Sequence, residues 1–175
     1  MKTIEEIYQI LKDKFQDSII ELKNIQFEPH VIVSPYAIKD ISLFLRDEEG
    51  LEFDALMCLS GVDDANGEKK TDEEGATVYV GGTLSVYYHL HSILQNHKLT
   101  LKVSTSRENP EVESVESVWR CADWHEREAY DMFGIKFLNH PDLRRILMPY
   151  DWEAGYPLRK DYKNPEFYKG MKVPY

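Results

Sequence analysis

The stretch KLTLKVSTS, Lys98 to Ser106, alternates strictly: Leu99, Leu101 and Val103 fall on one side, Thr100, Lys102 and Ser104 on the other. A period of two is the mark of a strand in a sheet with one buried and one solvated face. Working backwards, TVYVGGTLSVYYHLHSI predicts one or two more strands around Gly81-Gly82, with HLHSILQNHKL as the return connection. FDALMCLSGVDD, from Phe53, is a mostly apolar run of strand length and reads as a central buried strand. FEPHVIV, residues 27–33, reads as a short strand that Pro29 confines to an edge or an end.

Three segments carry the helical period. Residues 3–15 repeat Ile4, Ile7, Tyr8, Leu11 and Phe15, with Thr3 as N-cap. From Pro35, Ile38, Ile41 and Leu45 form an apolar side, and Gly50 lies past its end. Residues 114–133 place Val115, Val118, Trp119, Ala122, Ala129 and Phe133 on one stripe, with Ser114 as N-cap and Gly134 as the stop. Helix, strand, helix, several strands and helix predict an α+β two-layer domain, helices packed on a mainly antiparallel sheet. The acidic loop GVDDANGEKKTDEEGA shows no period and is expected at the surface. It also lacks the oxygen spacing of a calcium loop.

The bulk composition narrows the function. With 175 residues and a formal net charge of −10, the chain suits one compact domain and disfavours a nucleic-acid partner. No apolar run approaches the roughly 20 residues of a membrane span. The N-terminal stretch lacks the pattern of a signal or transit peptide, so a cytoplasmic chain is expected. Cys58 and Cys121 lie far apart with no CxxC and are expected as small buried side chains. Two cysteines cannot supply the four thiolates of an ordinary iron–sulfur cluster. His89 and His91 would share a strand face, but no third metal ligand is evident.

The charge is uneven. From Arg144 to Tyr175 seven Lys or Arg stand against four acids, a net +3, which leaves −13 on the first 143 residues. This last stretch also holds four prolines and seven aromatics from position 149 onward, too aromatic for a solvated disordered tail. A globular domain over residues 1–143 and an extended docking tail over 144–175 are expected.

EREAYDMFGIKFLNHPDLRRIL, Glu126 to Leu147, is dense enough in ionisable groups to suggest an active site. On a helix its first triplet diverges. Glu126 falls on the apolar stripe and must be neutral or paired, with Arg144 or Arg145 as candidates. Arg127 is spaced for a ladder with Asp123 and Asp131. Glu128 points along a third direction. A catalytic reading would take Glu126 as base and His125 or His140 as acid. No nucleophile or phosphate loop accompanies them, and a structural role is favoured.

This stretch, with MPYDWEAGYPLRKDY after it, resembles the signature region of the C subunit of NADH:quinone oxidoreductase, respiratory complex I. The matching positions are Glu126, Arg127, Glu128, Asp131, Met132, Phe133, His140, Arg144, Ile146 and Leu147, and then Pro157 through Tyr162. Gly134 and Pro141 belong to the same structural motif. YYHLHSI followed by HKLTLKV resembles the family's preceding strand pair. Three departures concern loops: Asn139 where glycine is usual before His-Pro, an extra residue at Ala154, and a long acidic loop. The intact HPDLRRIL and PLRKDY favour this type over the equivalent subunit of a membrane-bound hydrogenase or ferredoxin-linked complex, and over a stand-alone small-molecule enzyme.

The resemblance implies a non-catalytic peripheral-arm subunit on the cytoplasmic side of the membrane. Such a protein binds no cofactor itself, while FMN, iron–sulfur clusters and quinone sit on other subunits. It would pack against the D subunit, which carries the quinone site, and against cluster-bearing neighbours. Arg144, Arg145, Pro157, Arg159, Lys160, Asp161 and Tyr162 are the candidate partner interface. The chain is short for a fusion with the D subunit.

Overall fold

A computed structural model describes residues 2–71, 75 and 77–173. The first helix, α1 (Ile4–Phe15), begins as expected: the Thr3 hydroxyl accepts from the Glu6 amide, and the Glu6 carboxylate accepts from the Thr3 amide. Strand β1 (Ile19–Lys23) follows, then β2 (His30–Val33), α2 (Ile38–Asp47), β3 (Ala55–Asp63), β4 (Glu68–Thr71) and β5 (Thr77–Val80). Beyond them come β6 (Thr83–Ser92), β7 (His97–Ser106), β8 (Glu111–Glu113), α3 (Ala122–Phe133) and β9 (Lys136–Leu138). Two-residue strands β10 (Phe167–Tyr168) and β11 (Met171–Lys172) close the order.

The main sheet has the order β1-β2-β7-β6-β3. Only β2 and β7 pair in parallel; the other neighbours are antiparallel. The alternation of β7 is realised. Leu99, Leu101 and Val103 are buried and face Leu90, Tyr88 and Val86 across the β6 register, while Val31 and Val33 of β2 complete the row. Ile7 and Leu11 of α1 and Ile38, Ile41 and Leu45 of α2 join the same core. The other sheet face carries Ser85, Tyr87, Thr100, Lys102 and Ser104, linked by polar contacts such as Ser85 to Ser104 at 2.9 Å and Lys102 to Asp64 at 3.3 Å. The architecture is the expected α+β two-layer arrangement.

Several boundaries differ from those the sequence suggests. The strand β3 is an edge strand, not a central one. Its apolar composition reflects the cover α3 gives it on one face, and Met57 at its bulge is exposed. At Gly61 a Cβ would stand 2.7 Å from the Phe133 ring and 3.3 Å from Ala129, so α3 rides closer on β3 than any side chain allows. Strand β1, at the opposite edge, has no clear signature, because four of its five residues retain exposure. The segment 27–33 is strand only from His30; Pro29 lies just outside. The acidic stretch is not all loop: its first three residues end β3, and it holds β4, which pairs with β5 in the adjoining TVYV; residues 72–74 and 76 lie outside the described residues. Only 93–96 form the connection between β6 and β7.

The third helix is shorter than its periodicity suggests. Residues 114–121 form turns, and α3 starts at Ala122. Val115, Val118 and Trp119 keep helical spacing because successive turns also present every third or fourth residue inward. Trp119 is fixed by its indole N–H, which donates to the Phe53 carbonyl at 3.0 Å. Neither thiol is a buried hydrophobe: Cys58 is half-buried, Cys121 is exposed, and both are free.

Gly134 stops α3 as expected. Its φ is +76°, and its amide donates to the Tyr130 carbonyl at 2.8 Å. A Cβ there would also meet the Tyr156 ring at 2.5 Å and Arg159 Nη2 at 2.9 Å. Gly134→Ala is therefore expected to lower stability by roughly 1–3 kcal/mol in urea unfolding, from left-handed strain plus displacement of Tyr156. An unchanged midpoint would mean that the tail does not press on this helix end.

Candidate functional site

Three buried carboxylates surround the signature stretch, and each has different partners. Glu126 is fully buried in the stripe of α3. Its Oε2 accepts from the Ser114 hydroxyl at 2.6 Å and its Oε1 from the Val115 amide at 2.8 Å. Neither Arg144 nor Arg145 reaches it, contrary to expectation. Ser114 is not a helix cap, since the helix starts eight residues later; its hydroxyl is spent on Glu126. Burial pushes the Glu126 carboxyl up to about 7, against the pull of those two hydrogen bonds, and the nearby acids Glu116 and Asp123 add to the rise.

His140 comes close to this group after all. Its side chain is fully buried, with Nε2 3.8 Å from Glu126 Oε2 and 3.4 Å from Asp123 Oδ1. Its Nδ1 accepts from the Asp142 amide at 3.1 Å. That bond needs a lone pair on Nδ1, so the ring carries its proton on Nε2, facing the two acids. The Tyr88 hydroxyl, also buried, has no hydrogen-bond partner among the described residues; burial first and then the charge of Glu126 push its phenol well up. An acid and a histidine are thus neighbours as a catalytic reading requires, but both side chains are sealed from solvent. The adjoining Asn139 adopts φ +63° and ties its amide to Glu113 at 3.0 Å. Asparagine tolerates that left-handed conformation better than most residues.

Asp131 is the second carboxylate. It too is fully buried. Its Oδ2 accepts from the amides of Ile146, Leu147 and Met148 at 3.0, 2.8 and 2.8 Å, and its Oδ1 from Arg145 Nη1 at 2.7 Å. Burial raises its carboxyl, but these donors outweigh it and hold it below the ordinary value. The expected Arg127 ladder keeps only one weak rung, Asp123 at 4.0 Å. Arg127 instead donates from Nε to the Arg144 carbonyl at 3.3 Å and lies over the Trp124 ring. Glu128 is exposed, as expected, and Pro141 is exposed in the turn.

Asp63 is the third carboxylate, and nothing in the sequence marked it. It ends β3, with Oδ1 2.6 Å from Arg107 Nη1 and Oδ2 accepting from the Lys160 amide at 2.8 Å. Arg107 also donates to Asp161 at 2.6 Å. Burial raises Asp63, and Arg107 with two backbone amides brings it back below the ordinary range; burial lowers Arg107, and its two carboxylates raise it. Next to this network the Leu158 amide donates to Met132 O at 3.1 Å and Arg159 Nε to Phe133 O at 2.7 Å. Arg144 pairs with Asp142 at the surface, and the Tyr162 amide donates to Arg159 O. No spacing in the sequence links Asp63 or Arg107 to residues 160 and 161; they meet only because the chain doubles back.

The profile of the family described as "Respiratory-chain NADH dehydrogenase, 30 Kd subunit" matches residues 31–168, which includes all three carboxylates and the stretch they hold. The chain belongs to that 30 kDa subunit family. A relative from Chloroherpeton thalassium, named as the C subunit of NADH-quinone oxidoreductase, is 47% identical over 173 residues; the match covers 98% of this chain and 65% of the relative. Another of that name, from Chlorobium phaeobacteroides, is 43% identical over 96% of this chain and 93% of its own length. A Bacteroides fragilis protein, named as a C/D subunit, is 41% identical over 77% of this chain and 24% of its own length. Among solved structures, a trypsin-resistant fragment of Nqo5 shares the fold, with a TM-score of 0.56 and 23% identity over 80% of this chain and 98% of the fragment. The matched range thus contains the buried charges that hold chain to chain.

Two measurements test these assignments. The raised Glu126 carboxyl is protonated in both folded and unfolded chains below about pH 4.5 and in neither well above 7. Its contribution to stability is therefore full at low pH and is lost as pH rises between those values. Thermal melts from pH 5 to 8 should show that decline in the wild type and a flatter profile in Glu126→Gln. Asp131→Ala should cost about 3–5 kcal/mol by stranding Arg145 and three amides. Trypsin should then cut faster after Arg144 and Arg145, and wild-type cleavage kinetics would contradict the anchor.

Proposed function

We propose that this chain is a non-catalytic structural and assembly subunit of the peripheral arm of a proton-translocating NADH:quinone oxidoreductase. It packs against the quinone-site subunit and cluster-bearing neighbours on the cytoplasmic face of the membrane. FMN, iron–sulfur clusters and quinone belong to those other subunits. The observation that carries this reading is how the basic, aromatic C-terminal stretch is mounted. Buried carboxylates of the body hold its backbone at 146–148 and at 160, yet Leu147, Tyr150, Leu158, Phe167 and Met171 remain exposed along it. Apolar side chains left exposed along an anchored strap are what a partner surface would cover.

Two further points support it. The name of the Bacteroides relative joins C and D in one chain, which fits a partner of the D type. No helix among the described residues is long and apolar enough to cross a membrane, so attachment through neighbours suits the role. The buried carboxylates Glu126 and Asp131, and Arg127 and Arg145 beside them, are taken up by internal hydrogen bonds, which supports a role in rigidity. Electron transfer between centres on neighbouring subunits depends on their separation, so a rigid spacer contributes without chemistry of its own. Residues 1–143 form the body in this reading and 144–175 the strap.

The test is affinity purification of the tagged chain from membranes, with identification of the subunits that accompany it. Lys160 offers a clean variant, because its side chain is exposed and only its amide is used by Asp63. Lys160→Glu should reduce the accompanying subunits while leaving the melting temperature of the purified chain unchanged. Recovery of the wild-type chain alone would sink the reading.

A further inference from the structure

Between the strap and the β4–β5 hairpin lies an open cavity of about 380 Å³, lined by Val78, Gly155, Tyr156, Arg159 and Asp161 among others. We infer that this cavity is a receptor for one carboxylate side chain of a partner subunit, and that Arg159 is the group that takes it. The inference rests on the docking role proposed above and specifies its chemistry.

Arg159 differs from every other arginine of the strap in what it has left to give. Arg145 is spent on Asp131 and Arg144 on Asp142. Arg107, its neighbour in the body, is saturated by Asp63 and Asp161. Arg159 uses Nε alone, on the carbonyl of Phe133 at the C-terminal end of α3. Its two terminal nitrogens have no hydrogen-bond or ion-pair partner among the described residues. The guanidinium is held rigidly all the same. It lies 4.5 Å from the Tyr156 ring centroid, and its Nη2 stands against Gly134, where any Cβ would be 2.9 Å away. A planar donor fork fixed on one edge and one face has already lost the rotamer freedom that binding would otherwise remove.

The electrostatics favour a single carboxylate. Burial, and then the charge of Arg107, hold the Arg159 guanidinium below its ordinary value, so an added anion relieves a real cost. Asp161 and Lys163 line the same cavity, and Asp161 with Asp63 pulls the Arg159 guanidinium back up without pairing with it. One unpaired fork is left there to take one further carboxylate. The fork geometry matches the two oxygens of Asp or Glu. The exposed apolar side chains of the same strap, Leu158 directly before Arg159 among them, make a protein surface the natural carrier of that carboxylate.

Two arms test this. The full chain, labelled with nitrogen-15, is titrated with sodium acetate and, at matched ionic strength, with sodium chloride. The Arg159 Nε–H and Gly155 amide signals should shift saturably with acetate only, and Arg159→Gln should abolish the Gly155 response. No acetate shift, an equal response to chloride, or an unchanged Gly155 response in the variant each overturns the site. In the second arm, Ala154→Glu places a carboxylate on the cavity wall, where it can satisfy Arg159 from within. The purified variant should melt no lower than wild type, while the subunits recovered with it from membranes fall roughly tenfold. Wild-type recovery with Ala154→Glu overturns the partner carboxylate, and with a positive acetate titration it reassigns the site to a free small acid. A wild-type chain that brings down no subunits refutes the docking role itself.

Discussion

The structure depends on a carboxylate with nowhere to go. Asp131 is buried without solvent, and an isolated charge there would be untenable. It is satisfied by three consecutive amides of a chain that has just left the helix, together with Arg145. Asp63 repeats the arrangement from the end of β3, with one strap amide and Arg107. In both cases part of the satisfying set is strap backbone, which a side-chain substitution cannot remove. Lifting the strap would strand a buried charge, so strap and body are expected to separate only at a cost of several kcal/mol.

Glu126 shows how much the partner set matters. Like Asp131 it has no exposed surface, and it also accepts well-formed hydrogen bonds. It lacks a cation, and Asp123 and Glu116 stand nearby. Desolvation, stronger at the more deeply embedded Glu126, wins there and loses at Asp131, and the two carboxyls are displaced in opposite directions. The neighbouring His140 makes no hydrogen bond to it: Nε2 stands 3.8 Å from Oε2, and Nδ1 accepts from the Asp142 amide. One helix thus carries an acid whose carboxyl is pushed up to about 7 and, five residues on, one held below its ordinary value.

Legibility followed the range of the interaction. Local periods declared α1, α2 and the β6–β7 pair, since a capping box or an alternation is written within a dozen residues. The stripe position of Glu126 was likewise visible, and with it the demand for partners. The identity of those partners was not, because Ser114 and Val115 sit in turns whose spacing mimics a helix. Edge and centre could not be told apart for β3: α3 covers an edge strand enough to keep it apolar. The Asp63–Arg107–Asp161 network spans nearly a hundred residues and has no periodic trace at all.

The strap itself is ordered in a way its composition does not show. Aromatic, proline-rich and without period, it has the composition of a segment that waits for a partner to order it. Yet from Arg145 to Tyr162 it is already fixed by hydrogen bonds that composition cannot reveal. Burying charge to hold an otherwise irregular chain gives a rigid surface in which neither helix nor sheet is needed, and the exposed apolar groups are presented in a set arrangement. Pre-ordering of this kind removes conformational entropy before docking, so a modest contact area can hold firmly. In the docking role proposed above, a strap mounted in this way would pass position from one neighbour to the next.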